Sequence, residues 1–277
     1  MDRLKIAILF GTKPNFESDA LKYFILYLNK IQKTYEFFFP DVTDYPFKKR
    51  KKVNFETSHD TIKEYTQNKE LVADHFITII TNSFDNNYFF NAEQKTSIIT
   101  TDIWNKYFSP PSLFEYLLHC IYTCLIYSQI RPSGQPPLTE KQILINIGSH
   151  EDTRGCIADF TRKKNDDRID ITLGYICDEH KQEISEFYGN DYLEEIQQIT
   201  ERNWIGSLEE QNSVAYNLKH IFKVNINRDS GFNKNWWDKI KEKFYEIPGS
   251  LIGEVLRILL TAIVIYLLIK IGIVDKQ

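Results

Sequence analysis

Four residues of zinc-binding type gather in one stretch of the 277-residue chain: His150, Cys156, Cys177 and His180. They form two pairs, H-x5-C and C-x2-H. A C-x2-H pair sets two donors on one metal across a tight turn, and a pair from a neighbouring turn completes tetrahedral nitrogen/sulfur ligation. Four protein ligands leave no position for water or substrate, so zinc held this way is structural. The same residues also fit two core thiols and two surface imidazoles, and that reading stays open. The twenty residues between the pairs suffice for a β-excursion out and back. Inside the stretch, Gly155 permits a positive-φ turn. Arg154 can meet an anionic ligand or a carboxylate such as Asp159. The zinc-binding region is set at 148–182.

A second group sits earlier. Glu115 and His119 are i, i+4 on one helix face. With His59 or His75 they could bind a metal and do catalysis; the plainer reading is a buried histidine beside a carboxylate. Gly11 opens a turn that lacks the glycine spacing and Lys-Ser/Thr ending of a phosphate loop. The run KKRKK at 48–52 reads as a solvated loop, or as a contact for nucleic acid or anionic lipid.

The elements that position these residues follow from periodicity. Short apolar runs at 4–10, 35–39, 76–81 and 96–101 read as strands. Residues 20–32 read as a helix with Leu21, Phe24, Ile25, Leu28 and Ile31 on one face, capped by Ser18 or Asp19. Residues 57–71 read as a polar helix. Ser112 caps a helix buried on most faces, from Leu113 to about Ile130. Prolines break the chain over 131–137, and 138–147 follows as a helix or strand. Helices are expected over 178–200 and 207–224. The fold class is α/β (α+β), a mixed sheet with flanking helices and a zinc-knuckle region, in one domain over 1–225.

Composition narrows the partners. The net charge is −4 and the pI near 5.9, so no nucleic acid is expected on global charge. Cys120 and Cys124 lie i, i+4 and suit buried free thiols. No long apolar run opens the chain, and reduced cysteines favour a reducing compartment.

The C-terminal part changes character. Trp236 and Trp237 precede Lys239, Lys241 and Lys243, a mixture suited to a membrane–water interface. Residues 226–248 read as a linker and interfacial segment, and 249–274 as a transmembrane helix in the lipid bilayer. Residues 251–274 would span about 36 Å as a helix, against a bilayer core near 30 Å. A buried core helix is the other reading. Gly253 and Gly272 stand too far apart for a small-residue packing seam.

The order strand, helix, strand, strand, strand, helix up to Ile130 resembles a minimal metzincin-type core, and the later His/Cys pattern resembles archaemetzincins. That family carries a zinc-binding His-Glu-x-x-His helix, then a third His beside a Cys, a further Cys, and a late C-x2-C. Here Phe114-Glu115-Tyr116-Leu117-Leu118 would occupy the helix motif. His150-Glu151 would match the His-Cys pair, Cys156 the next Cys, and Cys177 with His180 the late pair. The resemblance implies a structural zinc on Cys156, Cys177 and His180, completed by His150 or Glu151. Phe114 and Leu118 replace both helix histidines, so the family's catalytic zinc has no ligands there. Ala158 stands where the family has its Met-turn methionine.

These readings lead to a bacterial-type, tail-anchored protein, single-pass, with its N-terminal domain in the cytoplasm. It is zinc-stabilised and without catalysis, a sensing, binding or effector module with a protein partner or a second copy. Membrane-anchored effectors of anti-phage defence share that layout. The alternatives are an active zinc metallopeptidase at the membrane and an oligomeric membrane-perturbing effector.

Overall fold

The computed structural model describes residues 2–48, 51–131, 139, 142, 145, 147–160 and 164–226. The chain divides into two units, Met1–Phe232 and Asn233–Gln277. The expected membrane helix at 249–274, and all but the first residue of the linker before it, lie outside the described residues. Among the described residues no helix is long and apolar enough to cross a membrane.

The first unit is built on a five-stranded sheet of order β2-β1-β3-β5-β4. Its strands are β1 (Leu4–Phe10), β2 (Tyr35–Phe38), β3 (His75–Ile80), β4 (Phe90–Ala92) and β5 (Thr96–Thr100). β2, β1, β3 and β5 run parallel, and β4 pairs antiparallel with β5. Every residue of β3 and β5 is buried. That is why FITII and TSIIT read as unbroken runs rather than alternating ones: helices cover both faces.

On one face lie α1 (Ser18–Ile31) and α4 (Leu113–Ser128), packed on Ile6, Ile8, Ile77, Ile79 and Ile99. On the other, α2 (Ser58–Asn68) covers Ala7, Leu9, Phe76, Ile80 and Ile98 through Ile62. The four-residue α3 (Trp104–Tyr107) leads into α4. Then come α5 (Asp167–Leu173), α6 (Asp178–Tyr188), α7 (Asn190–Thr200), a 3-10 turn (Asn203–Ile205) and α8 (Val214–His220).

α4 starts where its sequence says. Ser112 Oγ accepts from Glu115 N at 3.2 Å, and Glu115 Oε2 accepts from Ser112 N at 2.9 Å, a full capping box. Elsewhere the structure differs from expectation. α1 is capped by Glu17 with no side-chain bond, so Ser18 and Asp19 lie inside the helix. The helix expected over 178–200 breaks at Gly189, whose φ of 101° no helix accommodates. The last helix is shorter than 207–224; it begins after Ser213, whose Oγ accepts from Tyr216 N. The β-excursion between the two ligand pairs is instead the helix α5.

Candidate metal centre

The C-x2-H pair is made by the start of a helix. Cys177 is the N-cap of α6 and His180 follows in its first turn. An N-cap and the residue three beyond it face the same side, as they do in a capping box. The helix N-terminus also turns its positive end toward a thiolate ligand. The other pair is delivered by two parallel bridges, His150 with Asp159 and Cys156 with Tyr175. Ile157 N donates to Tyr175 O at 2.7 Å, which sets Cys156 beside Cys177.

The four donor atoms lie within 4.8 Å of one another, and all four residues are buried. Cys177 Sγ is 3.2 Å from both His150 Nε2 and His180 Nδ1; Cys156 Sγ is 3.5 Å from His180 Nδ1. Tetrahedral zinc with ordinary Zn–N and Zn–S bonds requires N···S edges of about 3.6 Å. Those three edges are slightly short of that and no pair of donors exceeds 4.8 Å, so small shifts of the side chains bring the set to zinc.

The surroundings orient the ligands. His180 Nε2 donates to Gly148 O at 2.9 Å, which leaves Nδ1 free to turn its lone pair on the thiols. Burial pushes the Cys156 thiol up to about 12. A divalent cation reverses that preference by displacing the proton. The loop is closed by Asp159, whose Oδ2 accepts from Arg154 N at 2.7 Å and Cys156 N at 3.1 Å. Gly155 has a φ of 75°, and a Cβ there would meet Leu173 Cδ1 at 2.6 Å. That φ favours glycine, and any side chain there would also have to displace the Leu173 tip. Arg154 meets carboxylates, as the sequence suggested. Its backbone meets Asp159, but its guanidinium pairs with Asp152 and Glu179, each at 3.0 Å.

The second group is not brought together. Glu115 lies in the first turn of α4 with both oxygens engaged: Oε2 in the Ser112 cap, Oε1 with Arg202 Nη1 at 3.1 Å. His119 is buried and its Nε2 lies 3.5 Å from Asp170 Oδ2. Burial, and then repulsion from Asp167, pushes the Asp170 carboxyl up to about 9. Burial, and then the Arg202 charge, pushes His119 down to about 3. The proton therefore stays on the carboxyl and the pair is neutral.

The remaining histidines are used elsewhere. His59 Nδ1 meets Thr96 Oγ1 at 2.7 Å, and His75 Nε2 meets Ser97 Oγ at 2.9 Å. Among the described residues, only the His150 set forms a group that could hold a metal. Phe114 and Leu118 are core residues; Phe114 packs on Phe24 at 5.5 Å, and Phe24 on Trp204 at 5.2 Å. Cys120 and Cys124 are buried free thiols, as expected. Asp170, Arg202 and Gly148 went unread in the sequence. Nothing local marks them, because their roles depend on partners far along the chain.

No family model matches this chain, and no curated protein matches it. Among solved structures, the chain is faintly similar to the crystal structure of archaemetzincin from Methanopyrus kandleri. Identity is 12%, the match covers 72% of this chain and 97% of that one, and the TM-score is 0.38.

Proposed function

We propose that the chain is a zinc-stabilised, catalytically inactive metzincin-like module, held at a membrane by residues 249–274, that binds or senses rather than cleaves. The observation that carries the inactive reading is the composition of the convergent site: two histidines and two cysteines, all protein ligands, with no position left for water. Support comes from α4, where Phe114 and Leu118 fill the core and Glu115 is taken up by a cap and Arg202.

The membrane part rests on sequence. Residues 251–274 are apolar apart from Glu254, Arg257 and Lys270. Lys239, Lys241 and Lys243 before the span outnumber Lys270 and Lys276 at its far end. The positive-inside rule then keeps the N-terminal unit in the cytoplasm. An effector role in defence against phage rests on architecture alone.

Metal analysis of the full chain in detergent tests the inactive reading. One zinc per chain and no peptide cleavage are expected. Two zinc ions per chain, one of them exchangeable and required for cleavage, would establish the metallopeptidase instead. A cysteine added after Gln277 should react with a membrane-impermeant thiol label in intact cells; labelling near Lys48 instead would reverse the orientation.

A further inference from the structure

Of the basic run at 48–52, Lys48, Lys51 and Lys52 lie among the described residues, and they have no part in the metal centre. Lys48, Lys51 and Lys52 line a concavity of about 280 Å³ together with Pro46, Phe47 and Thr57. The chain just before and just after the run is pinned at the carboxyl ends of β1 and β3. Phe47 N donates to Gly11 O at 2.9 Å, and Val53 N to Ser83 O at 2.9 Å. The buried Asn82 amide donates to the carbonyls of Lys48, at 3.0 Å, and of Lys51. The backbones of Lys48 and Lys51 are thus held, and all three lysines are exposed.

No carboxylate lines this concavity, and none pairs with the three lysines among the described residues. Asp44, close by in the chain, is taken by Lys69 at 2.9 Å. The larger cleft beside Tyr107 differs, because Asp102 and Asp166 offset its Lys106 and Lys164. Three cations with no carboxylate among them match what an anionic lipid surface takes up, phosphate and carboxylate groups at the cations. A duplex would be met by a longer basic face, and the chain is acidic overall.

We infer that Lys48, Lys51 and Lys52 form a docking surface for anionic phospholipid headgroups. The inference rests on the membrane-held reading, and it adds a second contact with the bilayer. Each lysine near an anionic surface is worth roughly five-fold in partition, so removing three lowers docking on the order of 100-fold.

The test uses the full chain with Thr43→Cys, an exposed position, labelled with an environment-sensitive dye while the four native cysteines are buried. The protein is placed in vesicles of phosphatidylcholine alone, or with phosphatidylserine added. Recovery of the chain with floated vesicles of both kinds reports the anchor independently. A blue shift of the dye only with phosphatidylserine, reversed by high salt and lost in Lys48→Gln/Lys51→Gln/Lys52→Gln, is the expected result. Equal emission in both vesicles, with the chain incorporated in both, overturns the inference. So does a salt-dependent shift produced by a nucleic acid oligonucleotide and not by phosphatidylserine. Failure to float overturns the anchor, and a dye shift on added phosphatidylserine vesicles then still reports the docking surface.

Discussion

The His150–His180 loop and the start of α4 both carry a histidine near groups that bind metals, and they treat these groups in opposite ways. In the loop, four donors face one another in a buried volume, and of the nearby charges Arg154 Nη1 comes within 3.4 Å of His150 Nε2 at its edge. Arg154, Asp152 and Glu179 pair with each other at the surface. At α4 the carboxylate is tied to a helix cap and an arginine, and the histidine is buried against a protonated acid. The ligand types are comparable; convergence is what differs. Convergence in the loop is made by one helix start and two bridges, whereas the α4 residues stand on a rigid element whose neighbours are Phe24 and Trp204.

The contrast is tested most severely at the thiols. Cys156→Ser or Cys177→Ser should abolish zinc retention and unfold at least the 148–182 region. Structural zinc contributes apparent binding free energies of about 10–16 kcal/mol in small zinc domains, and that energy is folding energy. Metal content and circular dichroism of each variant check it. A variant that is fully folded and metal-free would break the comparison, because both regions would then be ordinary core.

Next in size is Phe114→Ala. It deletes a ring that is 1% exposed and packed, tilted, against Phe24, so about 3–5 kcal/mol of stability should be lost. Denaturant unfolding measures it, and zinc content should stay at its wild-type value. A cost near zero would mean that this end of α4 is loosely packed and open to a ligand.

Legibility follows the same division. The strands β1, β2, β3 and β5 and the cap of α4 were readable because local chemistry sets them: apolar runs, a serine before a long apolar helix, a glutamate three residues on. The four ligands were readable from residue type. β4 was not, since three residues become a strand only by pairing with β5. α5 was not either. Ile169, Ile171 and Leu173 alternate like a strand, yet Asp167 and Asp170 are the buried partners of Ile171, and no propensity anticipates two buried aspartates. The break at Gly189 was available in the sequence as a glycine inside a helical pattern; it was overridden by the apolar spacing on either side.

The buried acid gives a pH test of moderate size. The folded chain keeps a proton on Asp170 up to about 9, while the unfolded chain releases it near 3.8. Its contribution to stability is therefore complete below about 3.8 and is lost as pH rises through about 9. His119 acts in the other direction, below its ordinary 6.5 and down to about 3. Between 6.5 and 9 only Asp170 of this pair has a slope. Asp170→Asn in the zinc-loaded chain should flatten the fall in melting temperature across that interval. An unchanged slope would mean that Asp170 is ionised at neutral pH and that the α4 region holds a charge the comparison denies it.

Glu115→Gln has the smallest expected effect and the sharpest meaning. Oε2 accepts from Ser112 N and Oγ, and Oε1 from Arg202. Glutamine keeps an acceptor for the cap and loses the charge. A cap is worth about 1 kcal/mol, and a partly exposed ion pair about as much or less. The variant should therefore lose on the order of 1 kcal/mol, and Arg202→Gln made on top of it should cost less than Arg202→Gln alone, the remainder coming from the bond that Arg202 Nη2 donates to Thr172 O. Zinc content should not change. A general base behaves otherwise: its amide is stable and inert. If Glu115→Gln loses no stability but removes a cleavage activity that the wild-type chain possesses, the carboxylate is held for chemistry. The α4 region would then be a second working site, and the inactive reading would fall.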